Sequence, residues 1–155
     1  MQARILYNRV QPAAYKAMFG LQQYVNESAI EHSLLELVKM RASQINGCAF
    51  CLDMHSRDAI KAGETAQRLF LLDAWREVSL YTARERAALA WTEALTKITD
   101  GHVPDEVFEA VRPHFSEAEL VDLSLAIVAI NGANRLNIAF RTVPGAYRAK
   151  VRAAS

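Results

Sequence analysis

Apolar and polar positions along the chain change places with a helical period, and the breaks between periodic stretches carry helix punctuation. Helices are predicted near 12–24, 29–45, 49–62, 65–72, 83–99, 104–111 and 117–142. Pro12 and Pro104 stand where a helix can begin, and Gly47, Gly63 and Gly101 where one can end. Ser28 with Glu31, Thr82 with Glu85 and Ser116 with Glu119 have the spacing of capping boxes. Pro144-Gly145 stops the last helix. No segment sustains a period of two with β-branched residues, so the expected class is all-α, with about six or seven helices and no sheet. The turn from Asp100 to Pro104 is a possible seam, but it is too short to link independent domains, so residues 1–155 read as one domain.

Two helices depart from a simple amphipathic pattern. On a wheel at about 100° per residue, Ile30, Leu34, Leu35, Leu37, Val38, Met40, Ala42 and Ile45 occupy more than half the circumference of the 29–45 helix. Such a helix lies inside a bundle or against another subunit. Its narrow polar stripe holds His32, Glu36, Lys39 and Ser43, and the wheel alone reads Glu36 as a solvated face residue. Arg41 falls within the apolar arc and calls for an acidic partner or a subunit interface. In the 117–142 helix, Leu120, Leu123, Ala126, Ile127, Val128 and Ile130 form a core. Asn131, Asn134, Arg135 and Asn137 then interrupt it, either as a satisfied buried network or as the polar wall of a pocket.

Composition narrows the class of function. Apolar residues make up 52% of 155 and charged residues 23%, which is globular rather than disordered. A net charge of +1 gives no reason to expect nucleic acid or an anionic membrane surface. No apolar run approaches the ~20 residues that span a bilayer, and MQARILYNRV has no signal-peptide core, so the expected compartment is the cytoplasm. Two cysteines in a reducing compartment read as reactive or metal-binding.

Those cysteines lie at 48 and 51, followed by His55. With Cys48 at or just before the first turn of a helix, His55 falls between the two on the wheel, and all three share a face with Ala59 and Ala62. Residues three apart on a helix have Cα atoms ~5 Å apart, inside the range a disulfide accepts. Two effects favour a thiolate, and they point to different sulfurs. The helix N-terminus favours an anion at Cys48, whereas His55 can take a proton from Cys51. A redox dithiol fits best. A zinc site on Cys48, Cys51 and His55 lacks a fourth ligand at a useful spacing, and two inert cysteines leave the pattern unexplained. A thioredoxin-like fold is disfavoured, since no βαβ pattern surrounds the motif.

The run Glu36, Lys39-Met40-Arg41-Ala42-Ser43-Gln44-Ile45-Asn46-Gly47-Cys48-Ala49-Phe50-Cys51 and His55 resembles the AhpD-like alkylhydroperoxidase branch of the carboxymuconolactone decarboxylase family. The helical neighbourhood from 12 to 95 agrees with that family's core. The later Asn131–Arg135 and Arg141–Gly145 segments look like the C-terminal half of its shorter members, and the C-terminal helical half is expected at 104–142. The resemblance implies an all-α AhpD-like bundle, trimeric or hexameric assembly, and peroxide reduction with no metal, haem or flavin. It implies that Cys51 is peroxidatic, Cys48 resolving, His55 the relay base and Glu36 its acidic partner, which reverses the wheel's reading of Glu36. Phe50 stands where the best-known members carry a second histidine.

The expected activity is therefore reduction of hydroperoxides through a dithiol–disulfide cycle, with an external lipoyl- or thioredoxin-type dithiol as reductant. A redox-sensing oligomer without turnover and a protein dithiol–disulfide oxidoreductase are the alternatives. Trp75, Trp91, Tyr15 and Tyr81 are candidates for an apolar entrance. His32 is a minor candidate for the site, and His102 and His114 are expected at the surface.

Overall fold

A computed structural model describes residues 2–145 and Tyr147. Helices dominate, and no strand forms among the described residues. They are α1 (Tyr7–Val10), α2 (Pro12–Asn26), α3 (His32–Asn46), α4 (Ala49–Lys61), α5 (Ala66–Phe70), α6 (Ala83–Thr96), α7 (Asp105–Val111) and α8 (Glu117–Ala139). A 3₁₀ segment, Leu72–Glu77, follows α5. The expected helices are all present. The short α1 and the 3₁₀ segment were not anticipated, because neither is long enough to show a period.

The punctuation acts as expected in most places. Pro12 opens α2, and Thr82 and Ser116 cap α6 and α8 in complete capping boxes with Glu85 and Glu119. Ser28 does not cap α3. Its hydroxyl donates to the Val25 carbonyl, and the helix starts later, at His32, with Glu31 at the cap position. Pro104 sits one place before α7 rather than inside it.

Helix α3 is the centre of the molecule. It packs on α4, α6 and α8, and every residue from Leu34 through Ser43 is buried. Its two ends of apolar surface feed different clusters. Leu34, Leu35 and Val38 meet Trp91, Leu123 and Ile127, while Leu37 and Met40 meet Ala59, Leu72, Trp75 and Leu89. The wide apolar arc is thus satisfied within one chain and does not by itself demand a second subunit. Arg41 follows the first of its two readings, an acidic partner, and pairs with Asp73 and Glu93. In α8, Val128 was expected in the core but is 56% exposed, and Ala129 takes the inward position. Met18 of α2 lies 3.2 Å from where a Cβ at Gly132 would stand, so α2 and α8 approach closely there. The last residue of α2, Asn26, bonds Lys39 of α3.

Candidate active site

Gly47 ends α3 in the left-handed conformation, with φ of 68°, where a side chain would be strained. The chain reverses at once. Cys48 then caps α4 from an extended conformation, and its sulfur accepts the Cys51 backbone N–H at 3.4 Å. The Cα atoms of Cys48 and Cys51 are 5.4 Å apart and the two residues are joined as a disulfide. Both are buried. Cys51, but not Cys48, forms part of the wall of a cavity of about 1000 Å³. Cys51 exposes essentially no surface there.

Of the polar stripe of α3, His32, Glu36 and Lys39 line this cavity. Glu36 and Lys39 are each only 3% exposed, which corrects the wheel's reading of Glu36 as solvated. The reason is that α4, α6 and α8 pack on α3, and Asn26 at the end of α2 bonds Lys39. Glu36 Oε2 is 2.9 Å from His55 Nδ1, and its Oε1 accepts from Lys39 Nζ at 3.0 Å. Lys39 Nζ also donates to Asn26 Oδ1 at 2.8 Å. His32 Nε2 is 3.8 Å from Glu36 Oε1. Burial alone would raise the Glu36 pKa. The hydrogen bond and charge of His55, with the charge of Lys39, outweigh it and hold the carboxyl down at about 2.

A second polar chain reaches the sulfur from α8. Asn137 Nδ2 donates to Cys51 Sγ at 3.5 Å, and the Tyr7 hydroxyl donates to Asn137 Oδ1 at 3.3 Å. Asn137 is therefore on the pocket wall, one of the two readings of the α8 interruption. Asn131 and Asn134 follow the other reading. Asn46 Nδ2 donates to Oδ1 of both at 2.9 Å, and Asn134 donates to Ser43 Oγ at 3.1 Å. No buried side-chain polar atom lacks a partner among the described residues.

Of the four aromatic candidates for an entrance, only Tyr15 lines the cavity; Trp75, Tyr81 and Trp91 are core residues. The aromatic wall comes instead from Tyr7, Phe19, Phe50 and Tyr147, together with Tyr15. Tyr7 and Phe19 belong to helices with no motif, and Tyr147 lies in the tail, so no sequence signal marked them. His32 also lines the cavity, and His102 is exposed.

Asp58, one turn beyond His55, adds a further carboxylate. Single ligating atoms of Glu36, His55 and Asp58 lie within 4.8 Å of one another, the spacing of a cation site. However, both oxygens of each carboxylate already accept hydrogen bonds: Glu36 from Lys39 and His55, Asp58 from the Tyr147 hydroxyl at 2.9 Å. Burial and the Asp58 carboxylate raise the Tyr147 pKa to about 12, so this phenol stays a donor. A cation here would have to displace those donors.

The pattern of the carboxymuconolactone decarboxylase family matches residues 12–94. The uncharacterized protein YdfG of Bacillus subtilis is 45% identical over 139 residues, covering 90% of this chain and 95% of its own length. A crystal structure from Agrobacterium tumefaciens is 44% identical with a TM-score of 0.91, and the match covers 94% of this chain and all of that one. That protein is of unknown function, and its describers link it to the antioxidant defence protein AhpD. The debrominase Bmp8 shares the fold at 24% identity, with a TM-score of 0.78 over 87% of this chain and 73% of its own. The family pattern, the extent of these matches and the all-α architecture agree: this chain is an AhpD-like member of the carboxymuconolactone decarboxylase family.

Proposed function

We propose that the protein is a thiol-dependent hydroperoxide reductase. One observation carries this reading. Cys51, His55 and Glu36 border one cavity large enough for an organic hydroperoxide, while Cys48 is within disulfide reach of Cys51 but off the cavity wall. The helix-terminus argument favours Cys48 as the thiolate; the place of Cys51 in the cavity lining favours Cys51.

In the reduced protein, His55 takes the Cys51 proton, and Glu36 stabilises the imidazolium. The thiolate attacks the terminal oxygen of ROOH. The O–O bond breaks, Cys51 becomes a sulfenic acid, and the leaving alkoxide takes the proton from His55 to give ROH. The Cys48 thiol then attacks the Cys51 sulfur, water leaves, and the Cys48–Cys51 disulfide forms. An external dithiol of lipoyl or thioredoxin type reduces it, and the cycle needs no cofactor. Asn137 donates to the same sulfur and stabilises negative charge on it.

The deciding assay is steady-state loss of organic hydroperoxide with several dithiols. Turnover that disappears in Cys51→Ser supports the reading. Disulfide formation without turnover supports the redox sensor, and insulin reduction faster than peroxide reduction supports the protein oxidoreductase. In Cys48→Ser, one equivalent of peroxide is consumed and dimedone traps the sulfenic acid at Cys51; label on Cys48 in Cys51→Ser would reverse the assignment. We also propose a homo-oligomer, a trimer or hexamer. Its support is exposed apolar surface on α5 and α8, where Phe70 is 82% and Val121 66% exposed. A monomer by light scattering at micromolar concentration would exclude it.

A further inference from the structure

We propose that Lys39 is a positioning residue of the thiol relay: it pins one oxygen of Glu36 so that the other stays on His55. This rests on the reading of Cys51 and His55 as thiol and base. A buried ammonium is costly unless paired and hydrogen bonded. Lys39 is 3% exposed, yet it is placed in the wall of the reactive cavity, not in a purely structural core. Its ammonium donates to Glu36 Oε1 at 3.0 Å and to Asn26 Oδ1 at 2.8 Å.

The geometry divides the Glu36 carboxylate between two tasks. Rotation about the terminal bond of a glutamate is soft, so one hydrogen bond to His55 leaves the group free to swing. A second bond to the other oxygen removes that freedom. Lys39 supplies it from one turn along α3, where backbone spacing fixes the distance. Asn26, the last residue of α2, fixes Lys39 in turn. The line therefore runs from exposed Asn26 through buried Lys39, Glu36 and His55, across α2, α3 and α4, and ends one turn from Cys51. The same lysine keeps Glu36 ionised, because its charge lowers the carboxyl pKa alongside His55. The other charged or titratable groups lining this cavity are Tyr7 on α1, Tyr15 on α2, His32 on α3, Asp58 and Lys61 on α4, and Tyr147 from the tail, with the Cys51 thiol itself.

The test is the ultraviolet titration of the Cys51 thiolate in reduced Cys48→Ser protein, which needs no peroxide. Lys39→Met removes a cation and frees the Glu36 carboxylate, and both effects disfavour the thiolate. The midpoint is expected to rise by about one pH unit. Lys39→Arg, which keeps the charge, should recover part of the shift. In a Glu36→Gln background, Lys39→Met should move the midpoint by less than about a third as much, since the residue acts through Glu36. An unchanged midpoint in Lys39→Met, or an equal rise in both backgrounds, overturns the proposal. Asn26→Ala loosens Lys39 without deleting a charge and decides the matter if Lys39→Met fails to fold. It should raise the midpoint in the same direction, and no rise overturns the proposal. Because thiolate titration and peroxide turnover are separate readouts, protein that titrates as expected but consumes no hydroperoxide refutes the peroxidase reading alone.

Discussion

The Glu36 carboxylate ties the candidate site to the stability of the fold, and acid should reveal the link. Its pKa falls from an ordinary 4.5 to about 2 in the folded chain. A carboxyl depressed on folding stabilises the protein above its unfolded pKa, and that contribution is lost as pH falls toward the folded value. The gap of about 2.5 pH units corresponds to about 3 kcal/mol, most of it lost between pH 5 and pH 2. This is a large share of the ~5–15 kcal/mol that holds a domain together. Glu93 and Glu119 are also held low and contribute to acid sensitivity, so wild type alone cannot isolate Glu36. Glu36→Gln can. At pH 7 this variant should be less stable by about 3 kcal/mol or more, because Lys39 loses its buried counter-charge. Urea unfolding of the oxidised proteins, followed by far-ultraviolet circular dichroism, should show this difference shrinking by about 3 kcal/mol toward pH 2. A difference that stays constant from pH 7 to pH 2 would refute the assignment of Glu36 as an ionised, buried partner of His55.

Other substitutions test the scaffold and the sulfur's surroundings. Ser116→Ala removes one half of the α8 capping box and should cost about 1 kcal/mol by urea unfolding, with Thr82→Ala similar at α6. Leu37→Ala, at a fully buried position of α3, should cost about 2–5 kcal/mol by the same assay, and a cost below 1 kcal/mol would mean α3 is not central. Asn137→Leu removes the donor at Cys51 Sγ while preserving bulk; it should slow thiol oxidation by about tenfold with an unchanged dichroism spectrum.

Much of this architecture could be read before the structure, and the misses have physical causes. Helix limits came from signals that act within one turn. Thr82-Glu85 and Ser116-Glu119 close on themselves, so their spacing suffices. Ser28-Glu31 has the same spacing, but the Ser28 hydroxyl finds a nearer acceptor in the end of α2, and a local rule cannot see that competition. The α1 helix is four residues long and has no period to detect. Tyr7 is then brought to Asn137 by the packing of the chain's two ends, a contact that spans 130 positions. Tertiary placement of this kind leaves no trace in residue spacing.

Glu36 makes the same point in the opposite direction. A polar stripe on a helix means solvent only when one face of that helix is left uncovered. Here α4, α6 and α8 pack on α3, and Asn26 at the end of α2 reaches the stripe as well, so all its central residues are buried. The stripe's polar groups can survive burial only by bonding one another: Glu36 to Lys39 and His55, and Ser43 to Asn134. The stripe is thus two short buried networks, one ending at the cavity beside Cys51 and the other locking α8 to the turn before Cys48. That second network explains why a CxxC pair at a helix start can hold its geometry. Asn46, Asn131 and Asn134 fix the Asn46-Gly47 turn from outside while α3 fixes it from within. Cys48 is consequently presented to Cys51 at disulfide distance by a rigid turn, and the cavity is left to the sulfur on the other side of the pair.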